Sequence, residues 1–252
     1  MRIYLIGFVF VGLFAKSQSL VVNYEKSINI DNYVKNRMLL ESGNEDETTK
    51  LISTTLGKSE YYTLVYDNGE SLYTMDKVSE NDETLEATRG RVVRIKLGSF
   101  TEGIYKNHKT NVYLRDSDIL GRKFLVSDNL EKINWKLSDE EKNIGDYKAK
   151  KAIAVIDDED VIAWYADDIP IADGPYDYHG LPGLILELTT NNMNYHAVKI
   201  TNSNTKLNIV QPSSKGKKKL NKSQHKKILF DKIAELKEDK GMVVKDATEE
   251  ND

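Results

Sequence analysis

The sequence predicts a mainly β protein: a single domain of curved antiparallel sheet, a half-barrel or barrel-like meander, with one C-terminal amphipathic helix. Three observations predict it. Short runs of alternating apolar and polar residues recur along the chain. Turn signals separate them roughly every eight to twelve residues. Only one segment, near the C-terminus, holds apolar residues at helical spacing.

The first residues stand apart from this pattern. Arg2 is followed by an apolar run from Ile3 to Ala15, broken only by Gly7 and Gly12, and then by Lys16, Ser17, Gln18 and Ser19. A charged start, an apolar middle and a small-residue end make a secretory signal. As a helix the run would be about 20 Å long, short of a hydrocarbon core of about 30 Å. Ala15 and Ser17 suit the positions before a cleavage site, which puts cleavage before Gln18, with cleavage after Ser19 as the alternative. Residues 1–17 are expected to be a signal peptide, 18–210 a β-rich domain, and 211–252 a lysine-rich segment, a short helix and an acidic disordered tail. The expected location is periplasmic or extracellular, and the mature chain has no apolar run long enough to span a membrane.

The strands follow in order. Leu20 to Ile30 mixes β-branched residues with alternating polar ones. Glu41 to Lys50 reads as a polar loop or edge, and Lys50 to Leu56 as a possible strand. Tyr61 to Tyr66 and Glu70 to Met75 flank Asp67-Asn68-Gly69, and Asn-Gly is a strong hairpin signal. Val78 to Gly90 is a charged loop, and Arg91 to Leu97 alternates as a strand. Thr110 to Arg115 and Ile119 to Val126 predict a hairpin around Asp116-Ser117-Asp118. Ile133 to Leu137, Tyr147 to Ile156, Val161 to Tyr165, Leu184 to Leu188 and Tyr195 to Thr201 complete the set. Asp157 to Asp160 are four adjacent carboxylates that repel one another, so a hydrated hairpin tip is expected. A calcium loop of the EF-hand kind would need a central Gly and a final Glu, and neither is present.

Leu229, Ile233 and Leu236 mark the helix, with Ser223 as the expected N-cap and Gly241 beyond its end. Lys215 to Lys227 holds seven lysines and no acid. It reads as a solvated linker leading into the helix, with anionic lipid or polymer as the alternative partner.

Composition bounds the chemistry. The 252 residues carry 36 Lys+Arg against 40 Asp+Glu, for a net charge of −4. Loss of residues 1–17 removes Arg2 and Lys16, so −4 becomes −6. That balance argues against nucleic acid as a partner. There is no cysteine, which excludes disulfides, thiolate metal sites and a cysteine nucleophile. The four histidines form no metal or nucleophile motif, and neither metal nor cofactor is expected. His108, in a loop, and His196, on a strand, read as structural or exposed, and His225 as solvated.

The densest information lies in Val161 to Leu188, VIAWYADDIPIADGPYDYHGLPGLILEL. Three of the four prolines, Pro170, Pro175 and Pro182, sit here with Gly174, Gly180 and Gly183. Proline fixes φ and removes a donor, and glycine allows positive φ and close backbone approach. Such a stretch is an ordered loop with a prescribed path, either a structural plug or a binding surface. Its candidate residues are Trp164, Tyr165, Pro170, Gly174, Pro175, Tyr176, Gly180, Leu181, Pro182 and Gly183. Strict alternation after it would put Leu184, Leu186 and Leu188 on one face and Ile185 and Glu187 on the other.

Residues 180–185 spell GLPGLI, and the chain resembles the GLPGLI family of exported bacterial proteins, found mainly in Bacteroidetes. Trp135, the run Lys142 to Lys148 with Ile144, Gly145 and Tyr147, and Lys151-Ala152 fit the same pattern. So do Ala163-Trp164-Tyr165, Ile169-Pro170-Ile171, Gly174-Pro175-Tyr176 and the upstream Glu70-Ser71-Leu72-Tyr73. The resemblance covers roughly residues 20 to 205. Many members carry a cysteine where this chain has Ala149, so any disulfide of theirs is absent here. The resemblance implies export, a β-rich fold and an envelope setting, with no established activity. A looser analogy is to half-barrel lipoprotein carriers.

Three functional expectations follow. The first is a monomeric, non-catalytic envelope protein that binds an apolar or peptide ligand, or an outer-membrane protein, through loop 174–183. The second is an envelope hydrolase drawing on Asp168, His179 or Glu187. A third reading treats the loop as a plug and the protein as a structural component of the envelope.

Overall fold

The computed structural model describes residues 19–29, 59–76 and 103–240. The signal segment, the strands read at 50–56 and 91–97, the loops at 41–50 and 78–90, Gly241 and the acidic tail lie outside the described residues.

Two meanders share one sheet. The first runs β1 (Ser19–Ile28), β2 (Glu60–Asp67), β3 (Glu70–Met75), β4 (Ile104–Asn107), β5 (Val112–Ile119) and β6 (Arg122–Asn129), each antiparallel to the last. The second runs β7 (Lys136–Ile144), β8 (Tyr147–Ile156), β9 (Glu159–Ala166), β10 (Leu184–Thr189) and β11 (Met193–Ser203). β11 returns beside β1 and pairs with it over ten residues, from Ser19 opposite Ser203 to Ile28 opposite Met193. β1 is therefore the joint of a twelve-stranded sheet. β12 (Lys218–Leu220) lies parallel to β6 at the far edge, and the helix α1 (Lys222–Lys240) follows. The predicted mainly β architecture with one helix near the C-terminus is what the chain adopts, as an open sheet.

The turns explain the registers. Asn68-Gly69, Leu120-Gly121 and Asp157-Asp158 are two-residue hairpin loops with positive φ at both positions. Paired positive φ is the type I′ geometry that matches strand twist. Asn-Gly and the acidic tip stand where the sequence places them. The β5–β6 turn does not: Asp116, Ser117 and Asp118 belong to β5, and the chain reverses at Leu120-Gly121. Asp116 stays in the strand because Lys217 reaches it, with Nζ to Oδ1 at 2.6 Å.

The sheet is curled. β8 and β9 stand eight or more strands from β6 in the order, which in a flat sheet is about 40 Å. Yet Lys226, in the helix that packs against β6, lies 3.1 Å from Asp157 at the β8–β9 tip. Two register shifts bend the middle strands, one in β11 opposite Asn23/Tyr24 and one in β10 between Ile185 and Glu187. The second shift overturns the strict alternation expected for β10. Leu184 and Leu186 join one apolar cluster, whereas Ile185 and Leu188 join the other. An inserted residue resets the period of two, which sequence alternation cannot register.

One apolar cluster gathers Leu20, Val22 and Tyr24 of β1 with Tyr62, Leu64, Tyr73, Ile104, Tyr113 and Val126. The other gathers Ala152, Val161, Ala163 and Tyr165 with Ile185, Leu188 and Tyr195. After β11 the chain crosses the opposite face of the first meander. The Leu207 N–H donates to Asp67, Gln211 donates to the Tyr105 hydroxyl, and Lys217 pairs with Asp116. The expectation of a solvated linker is thus corrected at Lys217 to Leu220, which are tied to the sheet. The helix starts from Asn221 rather than Ser223. Asn221 Oδ1 accepts the Gln224 N–H at 2.8 Å and Gln224 Oε1 accepts the Asn221 N–H at 3.1 Å, a reciprocal capping box. Ile228 and Leu229 then pack on Ile119, Phe124 and Leu220.

Candidate functional site

Residues 167–183 connect β9 to β10 without regular structure. Their path is held by backbone bonds across the loop. Gly180 N–H donates to Ala172 O, Leu184 N–H to Ile169 O and Ile185 N–H to Asp173 O, each at 3.0 Å. Glycine is required at two close approaches. A Cβ on Gly183 would drive into the Ala166 carbonyl, and one on Gly174 would sit 2.8 Å from Ile185 Cβ. The Gly and Pro of the motif therefore set a path against a neighbouring strand.

The loop is pressed into the first meander. Lys106 of β4 is fully buried and aims Nζ at the loop, donating to Gly174 O at 2.9 Å and Tyr176 O at 3.0 Å. Its third partner is the Asp173 carboxylate, also fully buried. Asp173 further meets His108 Nε2 at 3.0 Å and accepts the Gly174 N–H at 2.7 Å. Burial pushes the Asp173 carboxyl up, but the Lys106 ammonium and the His108 contact outweigh it and hold the group well below the usual carboxylate range. Next along, Arg115 Nη1 donates to the Tyr176 hydroxyl at 2.9 Å and stacks over its ring. Tyr113 donates to Asp177 at 2.8 Å. The Tyr176 backbone takes a φ of 52°, a left-handed conformation that costs about 1 kcal/mol or more outside glycine.

The same loop grips the second meander. Leu181 is buried in the Tyr165–Leu188 cluster, and Ile169 and Ile171 are buried in the Tyr24–Leu184 cluster. Trp135 Nε1 donates to the His179 carbonyl at 2.9 Å. The Tyr24 hydroxyl of β1 donates to Ile185 O at 2.6 Å. Rings of Tyr176, Tyr178 and Tyr195 step across the interior with centroids 6.3 and 6.4 Å apart. Pro170, Ala172, Gly180 and Pro182 remain on the solvent side.

The candidate residues thus divide. Tyr165, Gly174, Pro175, Leu181 and Gly183 are buried, Trp164 and Tyr176 are partly buried, and Pro170, Gly180 and Pro182 are exposed. Among Asp168, His179 and Glu187, no hydrogen bond, ion pair or ring contact joins one to another. Asp168 is exposed on the turn after β9. His179 is buried with its ring edge-on to His108, centroids 5.6 Å apart. Burial first, and then the Lys106 charge, push its pKa down to about 4, so it is neutral at pH 7. Glu187 lies in a separate surface network, paired with Lys142 and, at 3.1 Å, with His196 Nδ1. Lys142 also caps the Trp164 ring from 4.5 Å, with Lys151 at 5.9 Å.

The sequence gives almost no sign of the parts played by Lys106, Arg115, Tyr113 and His108. The one available signal was a lysine between Tyr105 and Asn107 in a strand only four residues long. Its burial depends on a partner 67 residues away. Among the described residues no group of three or more His, Cys, Asp or Glu could hold a metal ion, and no helix is long and apolar enough to cross a membrane.

Crystal structures of PNGF-II in space groups C2 and P21 are similar to this chain, each with a TM-score of 0.51, at 16% and 15% identity. The similarity covers 84% of this chain but 33% of that one, and at such identity it concerns the fold alone. No curated protein matches. Residues 155–187, which include β9, loop 167–183 and the GLPGLI run, match a family described as a protein of unknown function (Porph_ging).

Proposed function

We propose that this is an exported envelope protein of the GLPGLI type that works by binding, with loop 167–183 as the strut that shapes it. One observation carries the reading. The polar groups at the middle of the loop are spent inside the protein: Lys106 serves Asp173, Gly174 and Tyr176, and Asp173 serves Lys106, His108 and the Gly174 N–H. Groups saturated in this way hold a shape and transfer no protons. The solvent side of the strut, Pro170, Ala172, Gly180 and Pro182, is then a rigid ridge with little entropy left to lose on contact. It suits a peptide or an apolar patch on an outer-membrane protein. The apolar run at residues 3–15 and the GLPGLI run at 180–185 support export and the family reading.

The test separates strut from surface. The protein and its Pro182→Asp and Asp173→Asn variants are used to capture partners from an envelope extract, and each is also melted. Pro182→Asp is expected to abolish capture with an unchanged Tm, and Asp173→Asn to lower the Tm. Capture that survives Pro182→Asp, or a parent that retains nothing, overturns the reading.

A further inference from the structure

The β5–β6 hairpin tip and the adjoining β12 edge form a second surface, independent of the loop. Leu120 occupies the first turn position with φ 51°, followed by Gly121 at 82°. That geometry favours Asn, Asp or Gly, and a leucine there is strained. Its side chain packs into no described apolar cluster, and the residue is 49% exposed. The chain therefore holds a large apolar side chain in solvent at a position where a polar residue would fit better.

Cations line the sheet edge that leads from this leucine. Arg122 and Lys123 follow Gly121 and are exposed. β12 runs parallel to β6 with Lys218 opposite Phe124, so residues 215–217 approach β6 from the tip end. Lys215, Lys218 and Lys219 are exposed as well. Among the described residues these five side chains enter no ion pair, whereas the neighbouring Lys217 is spent on Asp116. Asp118 is the carboxylate of this tip, and its Oδ1 accepts the Gly121 N–H at 2.7 Å. This edge is thus positive on a chain whose net charge is −4.

From this juxtaposition we infer that the tip is a peripheral membrane-docking site. The five cations would lie on anionic lipid headgroups, and Leu120 would dip among the acyl chains. An exposed apolar residue at the end of a basic edge is the chemistry of a bilayer interface. A soluble polyanion would satisfy the cations and leave Leu120 without a function.

Co-sedimentation with vesicles tests it. One set is phosphatidylcholine alone and the other contains about one third phosphatidylglycerol. Residues 3–15 are apolar and add a salt-independent partition shared by parent and variants, so the salt-dependent part is what is read. The parent is expected to bind the anionic vesicles and to release them when salt rises from about 0.1 to about 0.5 M. Lys218→Gln/Lys219→Gln is expected to lower partition roughly 25-fold, at about fivefold per cation. Arg122→Gln/Lys123→Gln should do the same without touching β12. Leu120→Asn should weaken vesicle binding about tenfold while leaving the Tm unchanged or higher, since Asn tolerates the turn. Equal partition into both vesicle types overturns the proposal. So does Leu120→Asn binding like the parent, and inorganic polyphosphate holding parent and Leu120→Asn equally and displacing the vesicles would establish a soluble polyanion as the ligand instead.

Discussion

Two lysines in this protein each hold a carboxylate that also meets a histidine. Lys106, Asp173 and His108 tie the loop to β4, and both members of that ion pair are fully buried. Lys142, Glu187 and His196 lie across the outside of β7, β10 and β11, with the lysine 37% and the glutamate 26% exposed. The functional groups are alike and their energetics differ. In the interior neither charge can turn to water, so loss of one partner strands the other. At the surface, solvent replaces a lost partner at little cost. Placement, more than residue type, makes the first trio the strut of the fold.

The largest effect is expected of Lys106→Met. It is expected to cost about 3–5 kcal/mol in chemical denaturation, because Asp173 is left buried without its ammonium partner, with only His108 and the Gly174 N–H beside it. Lys106→Met/Asp173→Leu should recover only part of that loss, since the Gly174 and Tyr176 carbonyls lose their donor as well.

Acid should separate the two regions next. His179 is neutral in the folded protein down to about pH 4, against an ordinary value of 6.5. Between those values the unfolded chain binds the extra proton, so stability falls as pH falls from 6.5 toward 4, by about 3 kcal/mol in all. Asp173 is also depressed, so its contribution is complete above the unfolded carboxylate range near 4 and is lost only below it. Urea titrations across pH should show the first loss in the parent and a flatter curve in His179→Asn.

Gly183→Ala tests the path of the loop. The added methyl meets the Ala166 carbonyl, and about 1–3 kcal/mol should be lost, read as a lower Tm. The smallest effect belongs to the surface trio. Glu187→Gln should cost no more than about 1 kcal/mol and less at high salt. A larger cost would show that Lys142 needs Glu187 to stay over Trp164.

Much of the frame was legible in the sequence. Asn68-Gly69 marks its hairpin because few residues accept two positive φ values in succession. Asp157 to Asp160 mark another because four carboxylates stay hydrated. β8 stands at Tyr147 to Ile156, as its alternation predicts. The Gly and Pro spacing of 170–183 announces a constrained loop, and the structure supplies the reasons at Gly174 and Gly183. β4 escaped notice because four residues are too few for a period, and β12 because its lysines read as solvated. The Leu120-Gly121 turn escaped because leucine is a poor turn residue.

What the sequence determined by itself is local: where strands can form, where the chain must turn, and that residues 167–183 take a rigid path. Those follow from backbone sterics and hydrophobic period, which act over a few residues. What only the tertiary structure decided is which distant groups meet. β11 returns to β1, a bulge sends Leu188 to the same side as Ile185, and Lys106 finds Asp173 across the sheet. A buried charge has no local signature, because its stability depends on a partner that chain folding alone brings within reach.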